Sequence, residues 1–267
     1  LQEDLDRLDQ WSRDWLLKFH PQKCCVLKLG AQKSEAEYHL PGKDPDGNDC
    51  TLTLKESEAE RDLGITIDSR LNFKQHVSNS TTKANKIVGI IRRSFDYLTG
   101  ETFVRLFKSV VRPHLEYANS VWNPQTKTLR CDIEDVQRRA TKLLSHLKER
   151  PYPERLRALG LPSLEHRRTR GDMIEVYKYL HGLYDVQRPV FHLAPSTGRD
   201  LRGNAFKLVK NRFRLNIRGN YFTERVVSRW NALPDSVVTA PSLNAFKNRL
   251  DSHWKDLPTV YCPECYA

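Results

Sequence analysis

The spacing of apolar residues changes near Phe73, and this change constrains the fold more than any other feature of the chain. Before it, short stretches such as "TLTLK" and "RDLGITID" alternate between apolar and polar residues and are bounded by turn-forming residues, as β-strands are. After it, apolar residues recur every three to four positions, as on the buried face of a helix. The pattern predicts an α+β fold that is mainly α, with an N-terminal helix and a small antiparallel sheet followed by a helical region.

The first nineteen residues, "LQEDLDRLDQWSRDWLLKF", predict the N-terminal helix. Its apolar positions are three or four residues apart: Leu1, Leu5, Leu8, Trp11, Trp15 and Phe19. The chain opens without Met and already inside this repeat. We therefore expect that a further segment preceded it in the intact protein.

Turn-forming clusters and the change of period predict four regions. Residues 1–72 hold the first helix and the strands, and residues 73–184 hold basic helices. Residues 185–204, "DVQRPVFHLAPSTGRDLRGN", contain three clusters of turn or helix-breaking residues and are predicted to be a linker. Residues 205–267 are predicted to form a C-terminal helical piece and a tail.

Charge is distributed unevenly along the chain, whose formal net charge is +11. Residues 1–60 contain 8 basic and 13 acidic side chains, which leaves 36 basic and 20 acidic side chains in the rest. A long basic region attracts polyanions, and nucleic acid is the usual partner. The alternative is an ordinary solvated surface with an excess of Lys and Arg.

Several classes of protein are disfavoured by the sequence. The longest apolar runs, such as "IVGII", are too short to span a bilayer, and the acidic N-terminus does not resemble a signal peptide. The six cysteines are spaced too unevenly for a disulfide framework, so reduced thiols are expected. No phosphate-binding glycine loop, His-Glu-x-x-His motif or nucleophile elbow is present. We expect an intracellular protein, nuclear or cytoplasmic, without a membrane partner.

"CPEC" near the C-terminus has the spacing of half a zinc site. A closed zinc site needs four ligands, and besides Cys262 and Cys265 the nearby candidate is His253. A loose tail is the favoured interpretation, and no resident metal is predicted for this chain.

Seven stretches of the sequence, read in order, indicate a protein family more specifically than the composition does. They are "LQEDLDRLDQWSRDWLLKFHPQKC", "RDLGITIDSRLNFKQHV", "VVRPHLEYANSVWNP", "IEDVQRRATKLL", "YPERLRALGLPSLEHRRTRGDMIEVYKYLHG", "LRGN" and "FTERVVSRWNALPDSVVTAPSLNAFKNRLD". Together they resemble the C-terminal part of the polyprotein of non-LTR retrotransposons, the jockey-like and related LINE elements. The resemblance covers nearly the whole chain.

The resemblance implies roles for two parts of residues 1–72. The segment ending in "FHPQKC" resembles the palm element that closes over the incoming nucleotide, and Lys23 matches the position that can protonate departing pyrophosphate. A lysine that is merely solvated at a strand end is the alternative. "LGITID" resembles the primer-grip hairpin, in which Gly64 permits close approach of a nucleic-acid backbone. Leu63 and Ile65 flank Gly64 in this grip, with core packing favoured over nucleic-acid contact for both.

The basic helices after Phe73 resemble the thumb, which holds duplex product through its phosphates. The implied phosphate-binding residues are exposed-face cations, although plain surface charge is the alternative for about half of them. They are Lys83, Lys86, Arg92, Arg93, Arg138, Arg139, Lys142, Arg167, Arg168 and Arg170. Tyr117 and Trp122 are candidates for stacking on a base, with interior packing favoured.

The resemblance also predicts what the chain lacks. Reverse transcriptases hold two Mg²⁺ ions with a cluster of aspartates that includes an adjacent pair, and this sequence contains no Asp-Asp pair. We therefore expect part of an RNA-directed DNA polymerase that grips an RNA and DNA primer/template duplex, with Mg²⁺ bound only when a missing N-terminal palm is present. The alternative is a free-standing, non-catalytic nucleic-acid-binding or scaffold protein derived from a truncated element.

Overall fold

The computed structural model describes residues 1–30, 35–43, 46, 48–194 and 204–264. For Pro21 it describes the backbone and not the side chain. The chain divides into two compact units, Leu1–His76 and Val77–Ala267. Helices account for 54% of the structure and strands for 11%, which confirms the predicted α+β, mainly α class.

The first unit contains one helix and short strands. Helix α1 (Gln2–Asp14) is followed by a 3₁₀ turn (Pro21–Lys23) and by six strands: β1 (Cys25–Leu27), β2 (His39–Lys43), β3 (Asp49–Thr53), β4 (Lys55–Ser57), β5 (Ala59–Asp62) and β6 (Ile65–Asp68). These strands form three separate pairs rather than one sheet. β2–β3 and β5–β6 are antiparallel, whereas β1–β4 is parallel. The β2–β3 hairpin lies in the long connection that a parallel pair requires.

"RDLGITID" forms a hairpin and not the single strand that its alternation indicates. Asp62 ends β5, Ile65 begins β6, and the two residues between them make the turn. Leu63 and Gly64 have φ angles of +44° and +88°. Positive φ at both central residues is the backbone of a type I′ turn, whose twist matches that of paired strands.

Helices dominate the second unit, with α2 (Lys74–Ser94) spanning the division between the units. The others are α3 (Gly100–Leu106), a π-helical turn (Phe107–Val111), α4 (Pro113–Glu116), α5 (Asn119–Trp122), α6 (Lys127–Ala140), 3₁₀ turns at Thr141–Leu143 and Ser145–Leu147, α7 (Tyr152–Leu159), α8 (Leu164–Leu180), α9 (Asn216–Gly219), α10 (Phe222–Arg225), α11 (Val227–Asn231), α12 (Asp235–Val238), α13 (Leu243–Trp254) and a 3₁₀ turn (Pro258–Val260). Thr126, Ser163 and Ser242 cap α6, α8 and α13 through side-chain oxygens.

Helix α8 supplies part of a core that the C-terminal helices complete. Met173, Val176 and Tyr177 pack in one buried cluster with Trp230 and Phe246. The described part of the predicted linker contributes to the same cluster through Phe191, and Leu193 forms a β-bridge with Leu208. Residues 195–203 of that linker lie outside the described residues. Among the helices described, none combines the length and apolar character that crossing a membrane requires.

Candidate nucleic-acid interface

Helix α2 has an apolar face and a cationic face, and no acidic residue occurs in its 21 residues. Val77, Ala84, Val88 and Ile91 are buried, which fixes the orientation of the helix in the second unit. Lysines and arginines on the opposite side therefore have no carboxylate neighbour within their own helix. Lys83, Lys86, Arg92 and Arg93 are all exposed.

A groove of about 680 Å³ lies beside the C-terminal half of α2, and we call it the basic groove. One wall is α2, the second is the connection Phe95–Leu98, and the third is the end of α6 with the 3₁₀ turns after it. Its polar lining consists of Asn85, Arg92, Asp96, Tyr97, Arg139, Lys142, Ser145, His146 and Lys148. Three of the cations predicted from sequence, Arg92, Arg139 and Lys142, are thus brought together from two helices and a turn.

The groove cations are available to a partner. Arg92, Arg139, Lys142 and Lys148 are exposed, and their side chains form no ion pair or hydrogen bond with any other described residue. Asp96 is the single acid among the lining residues named above. The groove therefore concentrates positive charge over a concave surface, which is the arrangement that attracts a polyanion.

Tyr97 adds an aromatic ring to the groove wall. It lies in the connection after α2 and is 82% exposed, so its ring face is accessible to a planar ligand. Every nucleobase has a π face that can stack on such a ring. Neither Tyr97 nor Lys148 is among the binding residues predicted from sequence, and Tyr97 lies in a connecting segment without helical periodicity.

A second depression runs along the outer face of α2, and we call it the outer depression. Its lining residues share one helical stripe: Thr82, Asn85, Lys86, Gly89, Ile90 and Arg93. Lys86 and Arg93 are thereby placed together, on the side of α2 away from Arg92. The exposed Lys83 lies one helical turn before Lys86. Of the α6 cations, Arg138 forms an ion pair with Asp135 at 2.7 Å.

Of the three arginines of "HRRTR", two are paired with carboxylates and the third is buried. Arg167 donates two hydrogen bonds to the carboxylate of Glu116, and Arg170 donates two to that of Asp251, at 2.5 and 2.8 Å. Arg168 is only 3% exposed, and burial lowers the pKa of its guanidinium. None of the three lines the basic groove or the outer depression. Their nucleic-acid role stays a prediction.

The residues predicted to form the primer grip differ in burial within the β5–β6 hairpin of the first unit. Ile65 is buried, in line with the core-packing alternative, whereas Leu63 is 83% exposed at the turn. A leucine with positive φ is strained, and its exposed apolar side chain at the hairpin tip adds no buried surface that would stabilise the fold. Lys23 is exposed at the end of the 3₁₀ turn, where its backbone N–H donates to the carbonyl of His20. The proton-donating role of Lys23 stays a prediction.

The remaining candidates do not assemble a site. Cys262 is half-buried, and Cys265 lies outside the described residues. No group of three or more His, Cys, Asp or Glu side chains that could hold a metal ion occurs among the residues with described positions. Trp122 is buried and donates to the carbonyl of Tyr117 at 2.6 Å, whereas Tyr117 is exposed.

A smaller cavity of about 350 Å³ lies between α8, α11, α13 and the C-terminal 3₁₀ turn. His166, His253 and Arg229 line it together with apolar residues. Burial lowers the pKa of His166, which favours the neutral imidazole. Glu165, also in the lining, accepts hydrogen bonds from Arg130 and from the backbone of Glu264. The cavity thus lacks the cluster of unpaired cations that distinguishes the basic groove.

Comparison with known proteins bears on the class of this chain. It is 26% identical over 149 residues to the RNA-directed DNA polymerase from mobile element jockey of Drosophila melanogaster, a match covering 54% of this chain and 15% of that protein. It is 28% identical over 153 residues to the probable RNA-directed DNA polymerase from transposon BS of the same organism, covering 54% and 16%. An uncharacterized protein of Caenorhabditis elegans is 25% identical over 127 residues, covering 46% of this chain and 64% of that protein. No protein-family model and no solved structure matches the chain.

These partial matches define a class: the chain is related to RNA-directed DNA polymerases of mobile elements. Within that class the similarity is to jockey and BS, which confirms the resemblance to non-LTR retrotransposon polymerases. The matched segment spans 15% and 16% of these two polymerases, so it corresponds to a limited part of each.

Proposed function

We propose that this chain supplies the nucleic-acid grip of an RNA-directed DNA polymerase and holds an RNA–DNA primer/template duplex through its phosphates. The observation that carries the proposal is the basic groove, where four exposed cations from separate elements have no partner among the described residues. Lys and Arg side chains bind phosphate oxygens without reading base sequence. The relationship to polymerases of mobile elements supports nucleic acid as the class of partner.

The β5–β6 hairpin extends the proposal to the primer. Gly64 exposes backbone at the turn, and Leu63 offers an apolar surface beside it. A backbone without a side chain admits close approach of a primer strand, and an apolar contact can position its terminal sugar. Lys23 would donate a proton to departing pyrophosphate during nucleotide addition. These roles require the polymerase active site to be present.

Catalysis by this chain alone is not part of the proposal. Two-metal nucleotide addition needs a cluster of carboxylates, and neither an Asp-Asp pair in the sequence nor a suitable acidic group among the described residues supplies one. Mg²⁺ would be held by the catalytic aspartates of a complete palm. The present residues would orient the duplex and neutralise its phosphates.

The test is binding of a fluorescently labelled RNA–DNA hybrid by the full chain, measured as anisotropy over a series of salt concentrations. The groove variant is Arg139→Gln with Lys142→Gln. The matched control is Lys108→Gln with Lys255→Gln, which changes the formal charge equally at two exposed lysines that line neither the basic groove nor the outer depression.

The groove variant should bind about tenfold more weakly, a change of about 1.4 kcal/mol. The slope of log K against log salt should become shallower by about 2, because two phosphate contacts are lost. The control should retain most of the affinity and the slope. Equal losses in both variants would reject the groove as the binding surface and leave only a general charge effect.

A second assay separates the polymerase component from a self-sufficient enzyme. The protein should bind the hybrid and incorporate no nucleotide in the presence of Mg²⁺. Template-dependent extension by the wild-type chain would overturn the expectation that the catalytic metal site requires a complete palm. Binding of the hybrid without extension is expected both for a polymerase component and for a free-standing binding protein. Adding an N-terminal palm distinguishes these two alternatives, because only the polymerase component should then support extension.

A further inference from the structure

The basic groove and the outer depression meet on α2 at two residues. Asn85 and Gly89 line both concavities, one helical turn apart, and every other lining residue belongs to one or the other. Asn85 is short and Gly89 has no side chain. The surface of α2 is therefore closest to the helix axis where the two concavities join, and cations lie on both sides of that point.

Gly89 is unexplained by the packing of α2. It lies inside the helix, where glycine is less favourable than alanine. A Cβ at this position would contact a single atom within 4 Å, Nη1 of Arg93 at 3.5 Å, which is an ordinary van der Waals distance. The free protein thus has room for a side chain at residue 89, and helix propensity favours one. The absence of a side chain points to a requirement outside the free protein.

The charges around Gly89 indicate what requires the space. The guanidinium of Arg93 lies next to Gly89 on the outer side, with Lys86 in the same depression. Arg92 lines the basic groove together with Arg139 and Lys142. These five cations belong to two concavities that only Gly89 and Asn85 connect.

We infer that a sugar–phosphate strand of bound nucleic acid crosses α2 at Gly89, passing from the basic groove to Lys86 and Arg93 in the outer depression. Asn85 can donate its amide N–H to a phosphate oxygen at the crossing, and the backbone of Gly89 allows the strand to approach the helix axis. The inference rests on the proposed function of the basic groove and adds the path of the strand. It makes residue 89 a positioning residue for the complex.

The test compares Gly89→Ala and Gly89→Gln with wild type in the anisotropy assay with the RNA–DNA hybrid. The matched control is Ala158→Gln, which adds a side chain at an exposed residue of α7 that lines neither concavity. Gly89→Ala should melt at or above the wild-type temperature, because alanine is the better helix former and its methyl group fits. Binding and folding are therefore expected to change in opposite directions.

We expect Gly89→Ala to bind about threefold and Gly89→Gln about tenfold more weakly, because the larger side chain blocks the crossing more completely. Gly89→Gln should also make the salt slope shallower by about 1, since a phosphate contact near Arg93 is lost. Ala158→Gln should bind as wild type does.

Wild-type affinity and slope in both Gly89 variants would overturn the crossing, whether or not the groove variant is impaired. Failure of the wild-type protein to bind the hybrid would instead reject the proposed function itself, so the two failures are distinguishable. Gly89→Ala keeps the inference testable if the glutamine variant does not fold, since the alanine methyl group meets no atom closer than 3.5 Å.

Discussion

Arg225 should be among the most sensitive positions for stability in the second unit. It lies at the end of α10 and donates two hydrogen bonds to the carboxylate of Asp172 in α8, at 3.0 and 3.1 Å. It also donates to the carbonyl oxygens of Ser120 at 2.9 Å and Asn220 at 3.2 Å. The side chains of Arg225 and Asp172 are 11% and 3% exposed, so both charges are largely removed from water.

The magnitude follows from what Arg225→Leu leaves behind. The carboxyl group of Asp172 would remain buried without its partner, and the carbonyl of Ser120 would lose a donor. Removing one member of a buried ion pair costs about 3–5 kcal/mol. Burial raises the pKa of Asp172 and Arg225 opposes that rise, so without Arg225 the pKa of this carboxyl group should rise further and favour its protonated form. Protonation limits the loss, and we expect about 3 kcal/mol.

Urea unfolding followed by tryptophan fluorescence measures this loss, because Trp122 and Trp230 are buried in the same unit. The control is Arg105→Leu, whose partner is Glu101 in the same helix, with side chains 79% and 76% exposed. Such an exposed pair contributes about 0.3–0.5 kcal/mol. The double variant Asp172→Leu with Arg225→Leu should recover part of the loss, since no buried charge is then left unpaired.

A loss below about 1 kcal/mol for Arg225→Leu would refute the reasoning, because a buried pair would then behave as an exposed one does. A double variant that is less stable than Arg225→Leu would contradict it as well, since the cost would then come from lost packing and not from the orphaned carboxyl group.

Three further predictions concern other sites. Leu63→Asn should raise the thermal unfolding temperature, because asparagine tolerates positive φ better than leucine. The same variant should weaken hybrid binding if Leu63 touches the primer, and unchanged binding would show that Leu63 is not part of the interface. Burial raises the pKa of Glu134, so the free energy of unfolding should fall as pH rises from the ordinary glutamate range to the raised value. Urea titrations at several pH values measure this decline, and Glu134→Gln should flatten it. Tyr97→Ala should weaken binding of a hybrid with a single-stranded overhang by about 1–3 kcal/mol if Tyr97 stacks on a base, whereas Tyr97→Phe should retain it.

Periodicity predicted helices well because the buried faces are themselves the cause of the period. Val77, Ala84, Val88 and Ile91 recur at helical spacing after Phe73 and are buried in the structure, whereas Ile87 is half-buried and Phe95 is exposed. The class of fold, mainly α with a small β component, follows from the same signal. Alternation alone did not indicate the β5–β6 hairpin, because it continues through a two-residue turn whose first residue is leucine. The hairpin was predicted from the resemblance of "LGITID" to a primer grip.

Charged residues were less predictable, since a cation's partner can be far away in the chain. Lys142 and Arg167 both occupy cationic stretches of helical sequence, yet Lys142 lines the basic groove and Arg167 pairs with Glu116, 51 residues earlier. Arg170 pairs with Asp251, 81 residues later. Such pairing leaves no local pattern, so free and neutralised cations look alike in the sequence.

Photocrosslinking tests most directly whether nucleic acid lies in the basic groove. The full chain would be irradiated with an RNA–DNA hybrid that carries photoreactive uracils and a short overhang, and the adducts would be located by mass spectrometry. We predict an adduct on Tyr97 that is lost in the Arg139→Gln, Lys142→Gln variant, with little on Tyr117 or Tyr221, which are exposed but line neither the groove nor the outer depression. Adducts concentrated on Tyr117 or Tyr221, and unaffected by the groove variant, would contradict the account.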